Sequence, residues 1–232
     1  MFTLRLMTYN IQGHAAVRRA DHLTRIAEVI ESEKPDVVCL QEVHCRTRNV
    51  VVDQGEELAR LTRLRLAFGR SCAMNGGDYG NGVLTRGEVD ASEVCELPGR
   101  GEPRSLMRSD LTVDGIPLSI FVTHLSAWGR LRRSERLEQI AKVGDVTAAA
   151  ARPHVLAGDF NVSPSAVEIR KLLAHGHLKP SDAMRQPTFP LMRQRLDYVF
   201  CDPRWSVGRS EVVRRGPSDH WPLVVELQLN GS

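Results

Sequence analysis

Apolar and polar positions alternate along the chain in patterns that predict strands and amphipathic helices in regular succession. A strand is predicted over residues 2–8 and another over 36–40. Between them, residues 21–32 place Leu23, Ile26, Ala27 and Ile30 at helical spacing. Pro35 separates this helix from the second strand, because a proline disfavours helical backbone at the residue before it. The pattern therefore predicts a strand–helix–strand unit.

The same succession recurs later in the chain. Residues 118–123 predict a strand, 134–150 a helix and 154–157 a strand. Further strands are predicted over residues 83–85, 195–200 and 222–229, and a helix is predicted to start at the Ser163-Pro164-Ser165 segment. The glycine-rich residues 75–82 predict a turn before the strand 83–85. The chain is therefore expected to be one domain over residues 1–232 with an internal pseudo-duplication.

Polar residues hold equivalent places at the strand ends of the two units. Asn10 and Glu42 follow the two strands of the first unit, and His124 and Asp159 follow those of the second. If the units form two packed sheets related by a pseudo-two-fold axis, these side chains meet in one cleft. Helices then cover the outer faces, which predicts an α/β four-layer sandwich (α/β/β/α) with two mixed sheets.

Composition agrees with a globular domain. The chain has 232 residues, of which 42% are hydrophobic, enough for a sizeable core. Its apolar runs are far shorter than the roughly 18 residues that a membrane span needs. There is no room for a signal peptide before Asn10, so we expect a cytoplasmic protein. No protein partner is indicated, and a monomer is expected.

The basic residues are mostly arginines. The formal net charge is only +3, and Lys34, Lys142, Lys171 and Lys179 are the only lysines. Arginine suits phosphate recognition through its planar guanidinium group, but these residues are scattered, as on ordinary solvated faces. Only Arg130, Arg132 and Arg133 cluster near a candidate site residue.

Three acidic segments suggest metal-assisted hydrolysis. Ser218-Asp219-His220 precedes a strand, while Gln41-Glu42 and Gly158-Asp159-Phe160-Asn161 follow strands. Hydrolysis of a phosphate ester needs a cation beside the phosphate oxygens and a base for the attacking water. Oxygen ligands such as Glu42, Asp219 and the amide of Asn10 suit Mg²⁺ or Mn²⁺.

Six short motifs occur in the order found in one known family. They are Thr8-Tyr9-Asn10, Leu40-Gln41-Glu42-Val43, Thr123-His124-Leu125, Gly158-Asp159-Phe160-Asn161, Arg195-Leu196-Asp197-Tyr198 and Ser218-Asp219-His220. Over about residues 3–229 the chain resembles the endonuclease/exonuclease/phosphatase superfamily, which has the DNase I-like fold. The resemblance implies that Glu42 is the principal metal ligand with Asn10 beside it. Asp219 would support the same or a second metal position.

The resemblance also implies the catalytic roles. His220 would activate the water, and Asp197 would orient the imidazole and fix its tautomer. Asp159 and Asn161 would position the nucleophile and a phosphate oxygen. His124 would bind phosphate or assist the leaving group. Arg104 is a further candidate phosphate contact.

Some of these residues also have structural interpretations. Taken singly, Asp197 could pair with Arg195, and Asp78 could orient His124. Trp128 could pack in the core or stack on a base. The remaining histidines, His14 among them, show no ligand spacing.

The substrate is the least determined part. Thr123-His124 disfavours the apurinic endonuclease branch, and Trp221 disfavours the inositol polyphosphate 5-phosphatases. A metal-dependent phosphoesterase that cleaves a phosphodiester, or a phosphomonoester, is the leading hypothesis, and a lipid head group is one possible substrate. The alternatives are an endonuclease or exonuclease acting on DNA or RNA, and a catalytically silent binding module.

Overall fold

A computed structural model describes residues 2–127, 129–175, 177–182 and 184–230. Thirteen strands are present in the described chain, and four α-helices lie outside the two sheets that they form. The strands are β1 Phe2–Asn10, β2 Val37–Thr47, β3 Val50–Asp53, β4 Arg65–Met74, β5 Gly77–Thr85, β6 Glu88–Leu97, β7 Arg104–Val113, β8 Ile116–His124, β9 His154–Asp159, β10 Lys179–Pro180, β11 Asp197–Cys201, β12 Trp205–Val212 and β13 Leu223–Leu229. The helices are α1 His22–Glu33, α2 Gln54–Thr62, α3 Arg133–Ala148 and α4 Val167–His175. Three short 3₁₀ helices span Gly13–Val17, Gly129–Arg132 and Pro190–Met192.

The two sheets have the same arrangement of parallel and antiparallel strand pairs. The first runs β12-β13-β1-β2-β5-β4, with β3 paired to β2, and the second runs β10-β11-β9-β8-β7-β6. In each, the central pair is parallel, β1 with β2 and β8 with β9, and the flanking pairs are antiparallel. An internal duplication would produce such a match, and the duplication itself stays a prediction.

Both predicted strand–helix–strand units form. The helix α1 connects β1 to β2, and α3 connects β8 to β9. A parallel strand pair requires such a crossover, which covers one sheet face with a helix. The four-layer sandwich is therefore confirmed. No helix of the described segments is long and apolar enough to cross a membrane.

Side chains of the central strands alternate between two hydrophobic layers. Leu4 and Leu6 of β1 point between the sheets, whereas Met7 and Tyr9 pack with α1 residues outside the first sheet. On the opposite side, Phe121 of β8 packs under α3 and α4. In the sequence, strands that are buried on both faces in this way are continuous apolar runs. The core holds the carboxyl ends of β1, β8 and β9 close to the middle of β2.

The glycine-rich segment departs from its prediction. The turn comprises only Asn75 and Gly76, and β5 already begins at Gly77. A Cβ atom on Gly80 would lie 2.0 Å from the carbonyl oxygen of Gly69 in the neighbouring strand. The glycine therefore permits a close strand approach rather than a turn.

Candidate active site

The polar residues predicted to converge do meet at the strand ends. Asn10 ends β1 opposite Gln41 of β2, and His124 ends β8 opposite Asp159, the last residue of β9. The strand β2 does not end at residue 40 as the sequence predicted, but continues past Glu42 to Thr47. Asn10 Nδ2 lies 3.1 Å from Glu42 Oε1 and 3.1 Å from Asp159 Oδ2. This amide therefore joins a carboxylate of the first sheet to a carboxylate of the second.

A bulge in β2 directs Glu42 into the site. The pairing of β2 with β5 shifts register between Leu40 and Val43, and Glu42 has a φ of 60°. Left-handed backbone is uncommon for a residue with a side chain, and bulges recur next to active sites. Glu42 Oε2 lies 3.7 Å from His14 Nδ1. Burial opposes ionisation of Glu42, but His14 and other neighbours outweigh it and lower the pKa to about 2.

The side-chain amide of Asn10 is oriented by the backbone. Its Oδ1 accepts a hydrogen bond of 3.0 Å from the Gln12 amide, and its nitrogen faces the two carboxylates. The predicted ligand atom, the amide oxygen, is thus already an acceptor. A ligand role of Asn10 stays a prediction, and it requires this oxygen to be shared or the amide to turn over.

His220 and Asp197 form a buried pair. His220 Nδ1 lies 2.8 Å from Asp197 Oδ2, and His220 Nε2 lies 3.8 Å from Asp159 Oδ2. The ring of Phe189 packs against the imidazole with centroids 5.0 Å apart. Thr188 Oγ1 accepts the amide hydrogen of Asp197 at 3.1 Å. Burial lowers the pKa of His220, but the carboxylates of Asp197 and Asp159 outweigh it and raise the pKa to about 10.

Asp159 is the centre of the cluster. Its Oδ1 accepts a 2.9 Å hydrogen bond from the Asn161 amide, which fixes the carboxylate plane. Burial, together with the negative charge of Asp197, raises the pKa of Asp159 to about 7. Asn161 has a φ of 54°, and its Nδ2 donates to the Leu125 carbonyl at 3.0 Å. That bond ties the segment after β9 to the segment after β8.

His124 faces Oδ2 of Asp159, whereas the Asn161 amide binds Oδ1. Its Nε2 is 3.5 Å from Asp159 Oδ2, and its Nδ1 has no hydrogen-bond partner in the described part of the protein. Burial and the positive charge of Arg104 lower the pKa of His124 to about 3. His124 is therefore a neutral group at the wall of the site.

Two pairings that the sequence left open as alternatives are not found among the described residues. Asp78 binds Arg70, with 2.6 Å between Oδ1 and Nε, and so does not orient His124. Arg195 forms its ion pair with Asp182 at 2.9 Å, which leaves the Asp197 carboxylate for His220. The actual partners, Arg70 for Asp78 and Asp182 for Arg195, are brought close by strand pairing and folding that the local sequence does not show.

The segment that carries Asp219 is held to the end of β1 by Ser218. Ser218 Oγ donates to the Asn10 carbonyl at 2.7 Å and accepts the His220 amide at 3.1 Å. The half-buried Asp219 has a pKa raised by burial and by the negative charge of Glu42. The negative charge of Glu42 thus extends to Asp219, and a region of negative potential between two carboxylates suits a cation.

A cavity of about 280 Å³ lies at this cluster, and Asn10, Asp197 and Asp219 are outside its lining. Its lining comprises His14, Glu42, His44, Met74, Tyr79, Glu102, Arg104, His124, Ala127, Asp159, Asn161 and His220. His14 was missed by the sequence analysis, because it comes from a 3₁₀ turn after β1 that has no spacing signal. Trp128 and the side chain of Arg130 lie outside the described residues. Arg132 pairs with Glu135 at 2.7 Å, and Arg133 is exposed.

One group of donor atoms is compact enough to hold a metal ion. Single donor atoms of Asp159, Asp197 and His220 all lie within 4.8 Å of one another. However, His220 Nδ1 already shares a hydrogen with Asp197, and a protonated imidazole cannot coordinate a cation. The geometry therefore suits proton transfer at this trio better than metal coordination.

Comparisons with known proteins agree with the fold and with the family resemblance. The protein YbhP of Escherichia coli (strain K12) is 26% identical over 98% of this chain and 97% of its own. The crystal structure of an endonuclease/exonuclease/phosphatase from Beutenbergia cavernae is 30% identical, with a TM-score of 0.84, over 100% of this chain and 72% of that one. The structure of Danio rerio TDP2 complexed with a single-strand DNA product is 18% identical, with a TM-score of 0.80, over 98% of this chain and 100% of that one, and shows the shared fold. The sequence profile of the Endonuclease/Exonuclease/phosphatase family matches residues 7–220. The chain belongs to this family, whose members hydrolyse phosphate esters.

Proposed function

We propose that the protein is a divalent-metal-dependent phosphoesterase that cleaves a phosphodiester by in-line attack of water, with His220 as the base. The observation that carries this proposal is the buried His220–Asp197 pair, whose second imidazole nitrogen, Nε2, faces Asp159. General base catalysis requires an imidazole with one nitrogen fixed and the other directed at the water. A hydrogen bond from Nδ1 to Asp197 leaves Nε2 as that second nitrogen.

The oxygen-rich side of the cavity fits a hard cation. Glu42 is ionised, Asp219 lies within its electrostatic influence, and Asn10 contributes an amide. These three residues would hold Mg²⁺ or Mn²⁺, whose preferred ligands are oxygen atoms. The bound ion would neutralise charge on the phosphate oxygens.

His220 must be neutral to accept a proton. The carboxylates of Asp197 and Asp159 favour its protonated form, and they would stabilise the imidazolium that forms as water is deprotonated. Asp159 Oδ2, 3.8 Å from Nε2, is placed to orient that water. Asp197, His220 and Asp159 would thus together remove one proton from the attacking water.

The opposite wall is suited to the phosphate group. His124 is neutral and Arg104 is cationic, and both contribute to the cavity lining. Asn161, in the segment after β9, also lines the cavity and would position a phosphate oxygen. The phosphate would then lie beside His124 and Arg104, apart from the carboxylates and from the base His220.

The proposal is tested with bis(p-nitrophenyl) phosphate as a plain diester and p-nitrophenyl phosphate as the monoester. We expect Mg²⁺-dependent release of nitrophenolate from the diester, reversible loss with chelator, and loss in the Asp197→Asn protein. Full activity in the presence of chelator would contradict the metal requirement. A protein that cleaves only the monoester would move the proposal to a phosphatase.

A nuclease is the second candidate, because a groove of about 520 Å³ adjoins Asn161 and contains Arg133, Arg136 and Arg170. Arginines beside a phosphodiesterase centre suit a nucleic acid backbone. Nicking of supercoiled plasmid by the protein, absent in the Asp159→Asn protein, would favour this candidate. The cytoplasmic location and the monomeric state expected from the sequence stay predictions.

A further inference from the structure

A second cavity lies beside the active-site cavity at the edge where the two sheets meet. It measures about 440 Å³ and is bounded by β4 and by the loop of residues 98–103 that connects β6 to β7. Its lining includes Arg70, Ser71, Cys72, Gly99 and Gly101. Arg104 lines both cavities, so its guanidinium group is shared between them. We call this second space the side cavity.

Arg104 carries unused hydrogen-bond donors into this region. Its side chain is only 10% exposed, and Nη2 lies 3.1 Å from Glu102 Oε1. Its Nε and Nη1 are buried and meet no acceptor among the residues that the structure describes. Burying charged donors without acceptors is costly, so an incoming anion would gain two unpaired donors without displacing a protein partner.

The outer wall of the side cavity is held in place by α3. Gln139 Nε2 donates to the Pro98 carbonyl at 2.9 Å, and Glu135 Oε2 accepts the Arg100 amide at 3.1 Å. A Cβ atom on Gly101 would lie 2.8 Å from Arg132 Nη1, so the loop packs directly on that guanidinium group. The wall is therefore preformed, which lowers the entropic cost of binding.

The charges around the side cavity favour a small anion over a long polyanion. Arg70 lines it but is paired with Asp78 at 2.6 Å, and the carboxylates of Glu96 and Glu102 lie at or near the rim. The wall also holds the Ser71 hydroxyl, 2.6 Å from Ser105 Oγ. Arg104 is also paired, with Glu102, but among the described lining residues it has two buried guanidinium nitrogens without an acceptor.

We infer that the side cavity binds a second phosphate of the substrate, carried on the same molecule as the scissile diester and recognised by Arg104. The inference rests on the proposed function for the place of the scissile phosphate, and it adds a substrate class. The enzyme would prefer a diester whose non-leaving group bears its own phosphate. The guanidinium group would bind it through Nε and Nη1, while Glu102 keeps Nη2.

The test compares two diesters that share a leaving group. Thymidine 5′-(p-nitrophenyl phosphate) carries a free 3′-hydroxyl, and its 3′-phosphorylated form carries the second phosphate. We expect kcat/KM to favour the phosphorylated form by about tenfold or more, as befits charge-assisted hydrogen bonds. Arg104→Gln should bring the ratio of the two kcat/KM values close to one, whatever its absolute rate. The matched Glu102→Gln protein keeps the guanidinium group and should keep the preference.

Equal kcat/KM values for the two diesters, or a preference that survives in Arg104→Gln, would overturn the inference. If neither diester is cleaved, the proposed function fails, and the side cavity is tested separately by calorimetry on the metal-free protein. Thymidine 3′,5′-bisphosphate should then bind more tightly than thymidine 5′-phosphate, and Arg104→Gln should abolish the difference. Equal binding of the two nucleotides, or binding of neither, would overturn it.

Discussion

His220 Nδ1 lies 2.8 Å from Asp197 Oδ2, and both side chains are almost completely buried. This bond sets the imidazole orientation, so Asp197→Asn should leave the fold intact and reduce kcat on a diester by about 100-fold or more. The carboxylate also raises the pKa of His220, which is about 10 in the metal-free protein. An NMR titration of the metal-free protein should therefore find His220 deprotonating at lower pH in the variant.

The sign of the stability effect follows from the same pKa. A histidine whose pKa is raised on folding contributes stability that is complete below its unfolded pKa of about 6.5 and is lost as pH rises through about 10. The loss of unfolding free energy in Asp197→Asn should accordingly be larger at pH 6 than at pH 10.

A buried pair outside the site provides the control for Asp197→Asn. His154 Nδ1 lies 3.1 Å from Asp202 Oδ2, in a region that does not line the active-site cavity. Asp202→Asn should lower stability and leave kcat/KM of the folded protein within about twofold. Equal loss of rate in the two variants would mean that Asp197 acts only through stability.

Asp159→Asn should abolish activity and stabilise the metal-free protein at alkaline pH. The pKa of Asp159 is raised to about 7 by burial and by Asp197, so folding is penalised once the carboxylate ionises. The penalty is absent below the unfolded pKa near 4 and complete above pH 7. The variant removes this penalty, but it also loses the hydrogen bond that Asn10 Nδ2 donates to Asp159 Oδ2. The net stabilisation is the difference between the two.

Thermal unfolding at pH 4 and pH 8, without divalent ions, measures this effect. The midpoint of Asp159→Asn should exceed that of the wild type at pH 8, and the two should be similar at pH 4. A variant that is less stable than the wild type at pH 8 would show that the carboxylate is not under electrostatic strain.

The convergence of the polar residues beside the central strands could be predicted because the signal there is local, although β2 continues to Thr47 rather than ending at residue 40. Asn10, Glu42, His124 and Asp159 each follow a buried apolar run, and parallel pairing then brings those ends together. Sequence did not reveal β6, whose residues are mostly exposed and show no alternation. It also missed His14, because proximity to Glu42 depends on the turn after β1 and on the left-handed backbone of Glu42. Irregular backbone carries no periodic pattern, so sequence periodicity cannot locate such contacts.

Glu42→Gln should remove the response of the protein to divalent cations. If Glu42 is the principal ligand, Mg²⁺ at about 100 times its dissociation constant should stabilise the wild type by about 2.7 kcal/mol, and the variant by far less. Thermal unfolding with and without Mg²⁺ measures this independently of turnover. Glu57→Gln, on the outer helix α2, should respond like the wild type. An undiminished Mg²⁺ response in Glu42→Gln would place the cation elsewhere.

Glu135 connects the two loops that border the active site. Its carboxylate accepts hydrogen bonds from the Ser126 hydroxyl, from the Arg100 amide at 3.1 Å and from Arg132 at 2.7 Å. Glu135→Ala should cost roughly 1–3 kcal/mol at pH 7, because three donors, the buried Ser126 hydroxyl among them, lose a charged acceptor. Amide hydrogen exchange in residues 98–103 should become faster.

The pH dependence distinguishes this electrostatic role from loss of packing. Burial disfavours the charged form of Glu135, but its hydrogen bonds outweigh burial and lower the pKa to about 2. A carboxylate with a lowered pKa contributes stability above its unfolded pKa of about 4.3 and loses it as pH falls through about 2. The difference between wild type and Glu135→Ala should therefore be full at pH 7 and much smaller at pH 2. Glu138→Ala, at an exposed position of the same helix, should show neither the cost nor the pH dependence. A cost in Glu135→Ala that is the same at pH 7 and pH 2 would mean that the side chain supports the loop by packing alone.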